Sequence, residues 1–121
     1  MSHPVVVVVV DDKASITDLF ESYIGILDLP CKTVSFNDSR DALAYVKSNP
    51  VDIIITDYGM PYVSGLELLE ASPAGASKIM ISGYIPEITA DRITSLNATF
   101  YEKPVPMKEI GRIIRSRIET A

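Results

Sequence analysis

Six consecutive valines, Val5–Val10, run directly into Asp11-Asp12. A strand that is apolar at every position needs cover on both faces, as in a parallel sheet packed between helices. The run is too short to span a bilayer, which takes roughly 20 residues as a helix.

The rest of the chain alternates in the same way. Ile16, Leu19, Phe20, Tyr23, Ile24 and Leu27 fall at three- and four-residue spacing and form one helical stripe. Leu29-Pro30 interrupts it, and Cys31–Phe36 reads as a second strand. Asn37 or Asp38 can cap a helix that runs to about Asn49, with Ala42, Leu43 and Val46 inward. A third strand is expected over 52–56, followed by a short helix carrying Leu66, Leu68 and Leu69 that Ser72-Pro73 ends. A fourth strand over 78–82, a rather polar helix over Glu87–Ser95 and a fifth strand over 98–102 follow. The last helix, over 106–120, places Ile110, Ile113, Ile114 and Ile118 on one face and Lys108, Arg112, Arg115 and Arg117 mostly on another. Pro106 suits its first turn, and Gly111 weakens it slightly. Five strands alternating with five helices predict an α/β fold, a doubly wound parallel sheet with helices on both faces. In such sheets ligands bind beyond the carboxyl ends of the strands, where the strand order reverses.

Composition narrows the function. A chain of 121 residues fits one domain, 1–121, and 47% hydrophobic residues exclude disorder for its body. The net charge of −5 argues against direct nucleic acid binding, which needs clustered Lys and Arg. The single Cys31 cannot form an internal disulfide, and its apolar neighbours read it as a small buried residue. Met1-Ser2-His3-Pro4 lacks the basic flank of a secretory leader. The expected location is cytoplasmic, with no membrane association and with His3 in a solvated tail.

The residues just after the strands carry the chemistry. Asp11 and Asp12 follow the first, Asp57 the third, Ser82 closes the fourth, and Lys103 follows the fifth. Each alone is equally a cap, a turn or a surface residue. Their joint arrival at one rim of the sheet is what points to a site. Three carboxylates in one cleft repel each other unless a cation lies between them. Oxygen-only ligands suit Mg²⁺, which also takes phosphate oxygens. A carboxylate can accept a phosphoryl group as a nucleophile. A lysine ammonium and a serine hydroxyl suit the oxygens of that group.

At these residues the sequence resembles the receiver domain of two-component response regulators. The matching pieces are Val9-Val10-Asp11-Asp12, Thr56-Asp57-Tyr58-Gly59-Met60-Pro61, Gly65, Ser82-Gly83-Tyr84 and Glu102-Lys103-Pro104. The resemblance covers nearly the whole chain in order. It implies a flavodoxin-like fold with strand order 2-1-3-4-5. It implies Asp57 as phosphoacceptor, Mg²⁺ held by Asp11, Asp12, Asp57 and the Gly59 backbone carbonyl, and Ser82 and Lys103 on the phosphoryl oxygens. Phe100 matches the aromatic switch position, paired with Ser82. The Lys103-Pro104 peptide is commonly cis in such domains. The implied partners are a histidine kinase or phosphotransfer protein as donor and a downstream protein or output domain, with a phosphorylation-dependent dimer a further option. The surface around Glu87 to Arg117 is the expected partner face.

The sequence also departs from that pattern. Only 24 residues lie between Asp57 and Ser82, so the third helix and its following loop look shortened. Lys13 follows the acidic pair and is expected to face water. Gly59 cannot shield an acyl phosphate, whereas Tyr84, two residues after Ser82, could. Three competing functions share the architecture. An aspartate-based phosphohydrolase usually carries a second carboxylate two residues after its nucleophile, where Gly59 stands. A flavodoxin-like cofactor carrier lacks its hydroxyl-rich phosphate loop here. A non-phosphorylated interaction module would not need the full acidic set. The expectation is therefore a signalling receiver rather than an enzyme with metabolic turnover.

Overall fold

The valine run forms β1 (Val5–Val10), which lies inside a five-stranded parallel sheet. The structure is a computed structural model that describes residues 3–83 and 86–120, excluding the side chains of residues 87 and 88. After β1 come α1 (Ala14–Ile26), β2 (Cys31–Phe36), α2 (Ser39–Ser48), β3 (Ile53–Thr56) and α3 (Gly65–Ala71). Then follow β4 (Ser77–Ser82), α4 (Glu87–Ser95), β5 (Thr99–Glu102) and α5 (Met107–Thr120). The spatial order is β2-β1-β3-β4-β5, with every neighbouring pair parallel. The doubly wound parallel sheet expected from the alternation is formed, in the flavodoxin-like order that the resemblance implies.

The pleat explains why the valine run has no polar face. Val7, Val9, Ile53, Ile55, Ile79 and Ile81 point to one side, where Phe20 and Ile24 of α1 and Ile110 and Ile114 of α5 cover them. Val8, Val10, Ile54 and Met80 point to the other, beneath Ala42 and Val46 of α2, Leu66, Leu68 and Leu69 of α3, and Ile93 of α4. Each such aliphatic side chain stabilises the fold by about 1.5–3 kcal/mol on full burial. Both faces therefore contribute, and β1 and β3 carry no charged residue.

Local signals set the helix ends. Asp38 caps α2 by accepting from the Arg40 backbone N–H, so the cap falls on Asp38 rather than Asn37. Ser64 and Glu67 make a reciprocal capping box at α3. At α4 the N-cap position is Pro86, which has no side-chain acceptor. Asn97, just past α4, takes a left-handed φ of 56°, a common way to end a helix.

Several sequence expectations shift. Leu19 is 48% exposed, because α1 turns Thr17, Phe20 and Ile24 inward instead. Thr17 tolerates burial because its hydroxyl donates to the Ala14 carbonyl and accepts from Asn37. Cys31 is half-buried, since it opens a strand at the sheet edge. Arg117 does not simply join the solvated face of α5. It donates to the Gly75 carbonyl (2.8 Å) and the Ser77 hydroxyl (3.1 Å), with Asp52 3.5 Å away. The strands over 52–56, 78–82 and 98–102 and the last helix each differ by one residue at their starts. With seven residues, α3 is the shortest helix, as the close spacing of Asp57 and Ser82 suggests. Tyr84 lies outside the described residues. Among those residues no helix is long and apolar enough to cross a membrane.

Candidate functional site

Register assembles the site. Val10 and Thr56 are partners across β1 and β3, so Asp11 and Asp57 leave neighbouring strands side by side. The Asp57 backbone N–H donates to the Val10 carbonyl at 3.0 Å, extending the ladder past the last paired residues. Asp12 follows in the same turn, and carboxylate oxygens of Asp11, Asp12 and Asp57 lie within 4.8 Å of one another. Asp11 is buried, Asp57 half-buried and Asp12 exposed. Lys103 arrives from the end of β5, its Nζ 3.6 Å from Asp11 Oδ2 and 3.6 Å from Asp57 Oδ1. The peptide that follows it, Lys103-Pro104, is cis.

Charge decides what this cluster can hold. At 4–5 Å and an effective dielectric near 20, two carboxylates repel by roughly 3–4 kcal/mol. One ammonium against three carboxylates leaves two formal negative charges uncompensated within the cluster. A divalent cation matches that deficit, and an all-oxygen donor set with an exposed member suits an ion that keeps several waters, as Mg²⁺ does. Burial pushes the Asp11 carboxyl above its usual range, and the nearby Asp57 and Asp12 charges add to this. The Lys13 backbone N–H, bonded to Asp11 Oδ1 at 2.9 Å, and Lys103 oppose the shift. Lys13 thus supports Asp11 through its backbone, while its side chain lies on an exposed residue.

The remaining expected residues lie around this cluster. Ser82 ends β4 on the same rim and is buried; its carbonyl accepts from the Lys103 N–H at 3.0 Å. Phe100 is half-buried, opposite Met80, and packs against the cluster that holds Ile54 and Ile93. Because Ser82 pairs with Glu102, two residues beyond Phe100, Ser82 and Phe100 share one face of the sheet. Gly59 is exposed two residues past Asp57, with nothing within 4 Å of where a Cβ would stand.

The loop after Asp57 folds back on itself. The Gly65 N–H donates to the Tyr58 carbonyl at 3.0 Å, and a Cβ on Gly65 would overlap the Asp57 carbonyl oxygen. Only glycine permits that approach without moving the loop. Tyr62 sits at its apex with φ 75°, flanked by a Val63 N–H to Pro61 carbonyl bond of 3.0 Å. This is a three-residue turn of the left-handed kind, and a non-glycine held there costs of order 1–3 kcal/mol. The Arg40 guanidinium covers the exposed Tyr62 ring at 3.7 Å from its centroid. Arg40 also holds the Asp38 carboxyl down at about 2, below its usual 3.8, chiefly through the side-chain hydrogen bond.

Two residues with specific contacts to these loops escape the sequence reading. Asn37 donates from Nδ2 to the Asp11 carbonyl at 2.9 Å. Ser39, 3% exposed, donates to the Pro61 carbonyl at 2.5 Å and accepts from the Val63 N–H at 3.1 Å. The Asn-Asp-Ser triplet signals a helix start but not which distant loop its side chains will reach.

The fold and the acidic rim define a class. Residues 7–115 match the response regulator receiver domain family, and the chain belongs to it. It is a receiver domain of two-component signalling systems; such domains generally signal rather than catalyse, and generally bind Mg²⁺ in an acidic pocket. The chain is 33% identical over 78 residues to the transcriptional regulatory protein UhpA of Escherichia coli, covering 64% of this chain and 40% of UhpA. It is 28% identical over 112 residues to the autoinducer 1 sensor kinase/phosphatase LuxN of Vibrio harveyi, covering 89% of this chain and 13% of LuxN. The chain thus spans less than half the length of these relatives. Among solved structures it resembles a response regulator receiver protein from Pseudomonas putida, with TM-score 0.82, 25% identity, and 96% and 99% of the two chains covered. A CheY-like receiver domain protein from Methanospirillum hungatei shares the fold, with TM-score 0.83, 20% identity, and 98% and 99% covered.

Proposed function

We propose that this domain accepts a phosphoryl group on Asp57 and converts it into a change of surface around α4, β5 and α5. The observation that carries the reading is the meeting of Asp11, Asp12, Asp57 and Lys103 at one rim, with a residual charge suited to a divalent ion. Asp11, Asp12, Asp57 and the Gly59 carbonyl are the groups that would hold Mg²⁺. The ion would neutralise charge on the group being transferred.

A carboxylate oxygen of Asp57 forms the new bond to phosphorus. The bond from phosphorus to the donor breaks, and its electron pair leaves with the donor. The donor is a phosphohistidine of a sensor kinase or phosphotransfer protein, or a small acyl phosphate. Lys103, already facing Asp57, takes a phosphoryl oxygen, and the Ser82 hydroxyl donates to another. Ser82 moving toward the new group leaves space on the sheet face it shares with Phe100, which Phe100 then fills. One local charge change thereby biases two packings of similar energy. Position 59 offers no second carboxylate to act as a general acid, which fits a phosphoacceptor better than a phosphohydrolase. Cytoplasmic signalling, a protein target for the 87–117 surface and phosphorylation-dependent pairing of two copies follow from the same reading.

A phosphate mimic tests it. Mg²⁺ alone should shift amide resonances next to Asp57, and beryllofluoride with Mg²⁺ should extend the shifts to Ser82 and Phe100, which should move only when both are present. Shifts confined to Asp12 and Asp57 with Mg²⁺ alone, and none with the mimic, would favour a receiver-like interaction module that is never phosphorylated.

A further inference from the structure

The turn between β2 and α2 contributes no carboxylate to the acidic cluster, yet it is bonded to both loops that do. On one side, Asn37 Nδ2 donates to the Asp11 carbonyl and to the Thr17 hydroxyl, each at 2.9 Å. The Thr17 hydroxyl continues to the Ala14 carbonyl at 3.1 Å, so the link reaches the first turn of α1. On the other side, two residues on, the buried Ser39 hydroxyl spans the turn at Tyr62 by bonding both Pro61 and Val63. Between them Asp38 fixes Arg40, whose guanidinium lies on the Tyr62 ring.

We infer that Asn37 and Ser39 are positioning residues that set the spacing between the Asp11-Asp12 loop and the loop after Asp57, and so tune how well the site binds Mg²⁺ and takes up phosphate. The physical need is clear from the charges. Before a cation arrives, like-charged carboxylates push the two loops apart. Hydrogen bonds within either loop cannot resist that separation. A third element bonded to both can, and Asn37 and Ser39 supply those bonds from one three-residue stretch. The left-handed Tyr62 is held in the same way: Ser39 accepts from one side of the turn and donates to the other. Preorganisation of this kind raises affinity by removing motion that binding would otherwise have to freeze.

This inference rests on the phosphoacceptor reading, and the test separates the two. Asn37→Ala, Ser39→Ala and Ser39→Thr are compared with the natural chain in Mg²⁺ affinity, followed by amide shifts, and in the rate of phosphorylation by acetyl phosphate. Melting temperature is measured in EDTA. The expected result is Mg²⁺ binding weakened about tenfold in each alanine variant, with phosphorylation slowed in step. Ser39→Thr, which keeps a hydroxyl able to give and accept, should recover most of the loss. A lowered melting temperature with unchanged Mg²⁺ affinity and rate would reduce both residues to structural ones and overturn the inference. If Ser39→Ala fails to fold, natural affinity in Asn37→Ala overturns it and weakened affinity there upholds it. If the natural chain gains no phosphoryl group on Asp57, the phosphoacceptor reading fails first, and the inference falls with it.

Discussion

The two flanks of the sheet are built differently. On the flank of α2 and α3, polar side chains tie almost every turn: Asp38 caps α2, Ser64 and Glu67 box α3, and Ser39 links α2 to the loop beyond Asp57. Buried leucines at Leu66, Leu68 and Leu69 lie beneath. On the flank of α4 and β5, Pro86 offers no cap, and β5 is exposed at Thr99 and Glu102 and only half-buried between. An exposed ion pair from Arg92 to Glu70 joins α4 to α3, and exposed pairs contribute little. The site's carboxylates sit toward the tied flank, and Ser82 and Phe100 sit on the loose one. A rigid side that holds charge in place next to a side that can repack is the division of labour a switch needs.

The largest expected contrast is in hydrogen exchange. Amides of Ile93 and Leu96, in and just after α4, should exchange at least tenfold faster than those of Ala42 and Val46 in α2. Equal protection would erase the distinction between the flanks. Next comes Gly65→Ala, which drives a Cβ into the Asp57 carbonyl and should destabilise by about 1–3 kcal/mol in urea unfolding while weakening Mg²⁺ binding. Ser64→Ala removes the capping box and should cost about 0.5–2 kcal/mol by the same measurement.

The smallest effect belongs to Arg40→Ala. Asp38 titrates at about 2 in the folded chain against a usual 3.8, so the unfolded state binds more protons between those values. Its contribution is therefore present above pH 3.8 and lost as the pH falls toward 2. Without the Arg40 side chain the Asp38 carboxyl resonance should titrate closer to the usual value, with part of the depression left by the Arg40 backbone N–H. An unmoved midpoint would show that the guanidinium does not rest on Asp38 in solution.

What could be read from the sequence divides along a physical line. The strands and their order of appearance were legible because apolar runs such as Val5–Val10 admit one environment only. Asp11, Asp12, Asp57 and Lys103 were legible as candidates because each follows a strand, and strand ends share a rim. Leu19 misled because periodicity marks a stripe but not its rotation, and Thr17 found hydrogen bonds that made burial tolerable. Asn37, Ser39 and the turn at Tyr62 were not legible in their roles, since each depends on a contact with another loop. Arg117 was hidden for the same reason, its partners being Gly75, Ser77 and Asp52.

The most direct test of the central claim is intact mass spectrometry after treatment with acetyl phosphate and Mg²⁺, with Asp57→Asn as the comparison. The account predicts one added phosphoryl group on the natural chain, dependent on Mg²⁺, and none on the variant. An adduct of equal yield on Asp57→Asn, or one that forms as readily in EDTA, would contradict it.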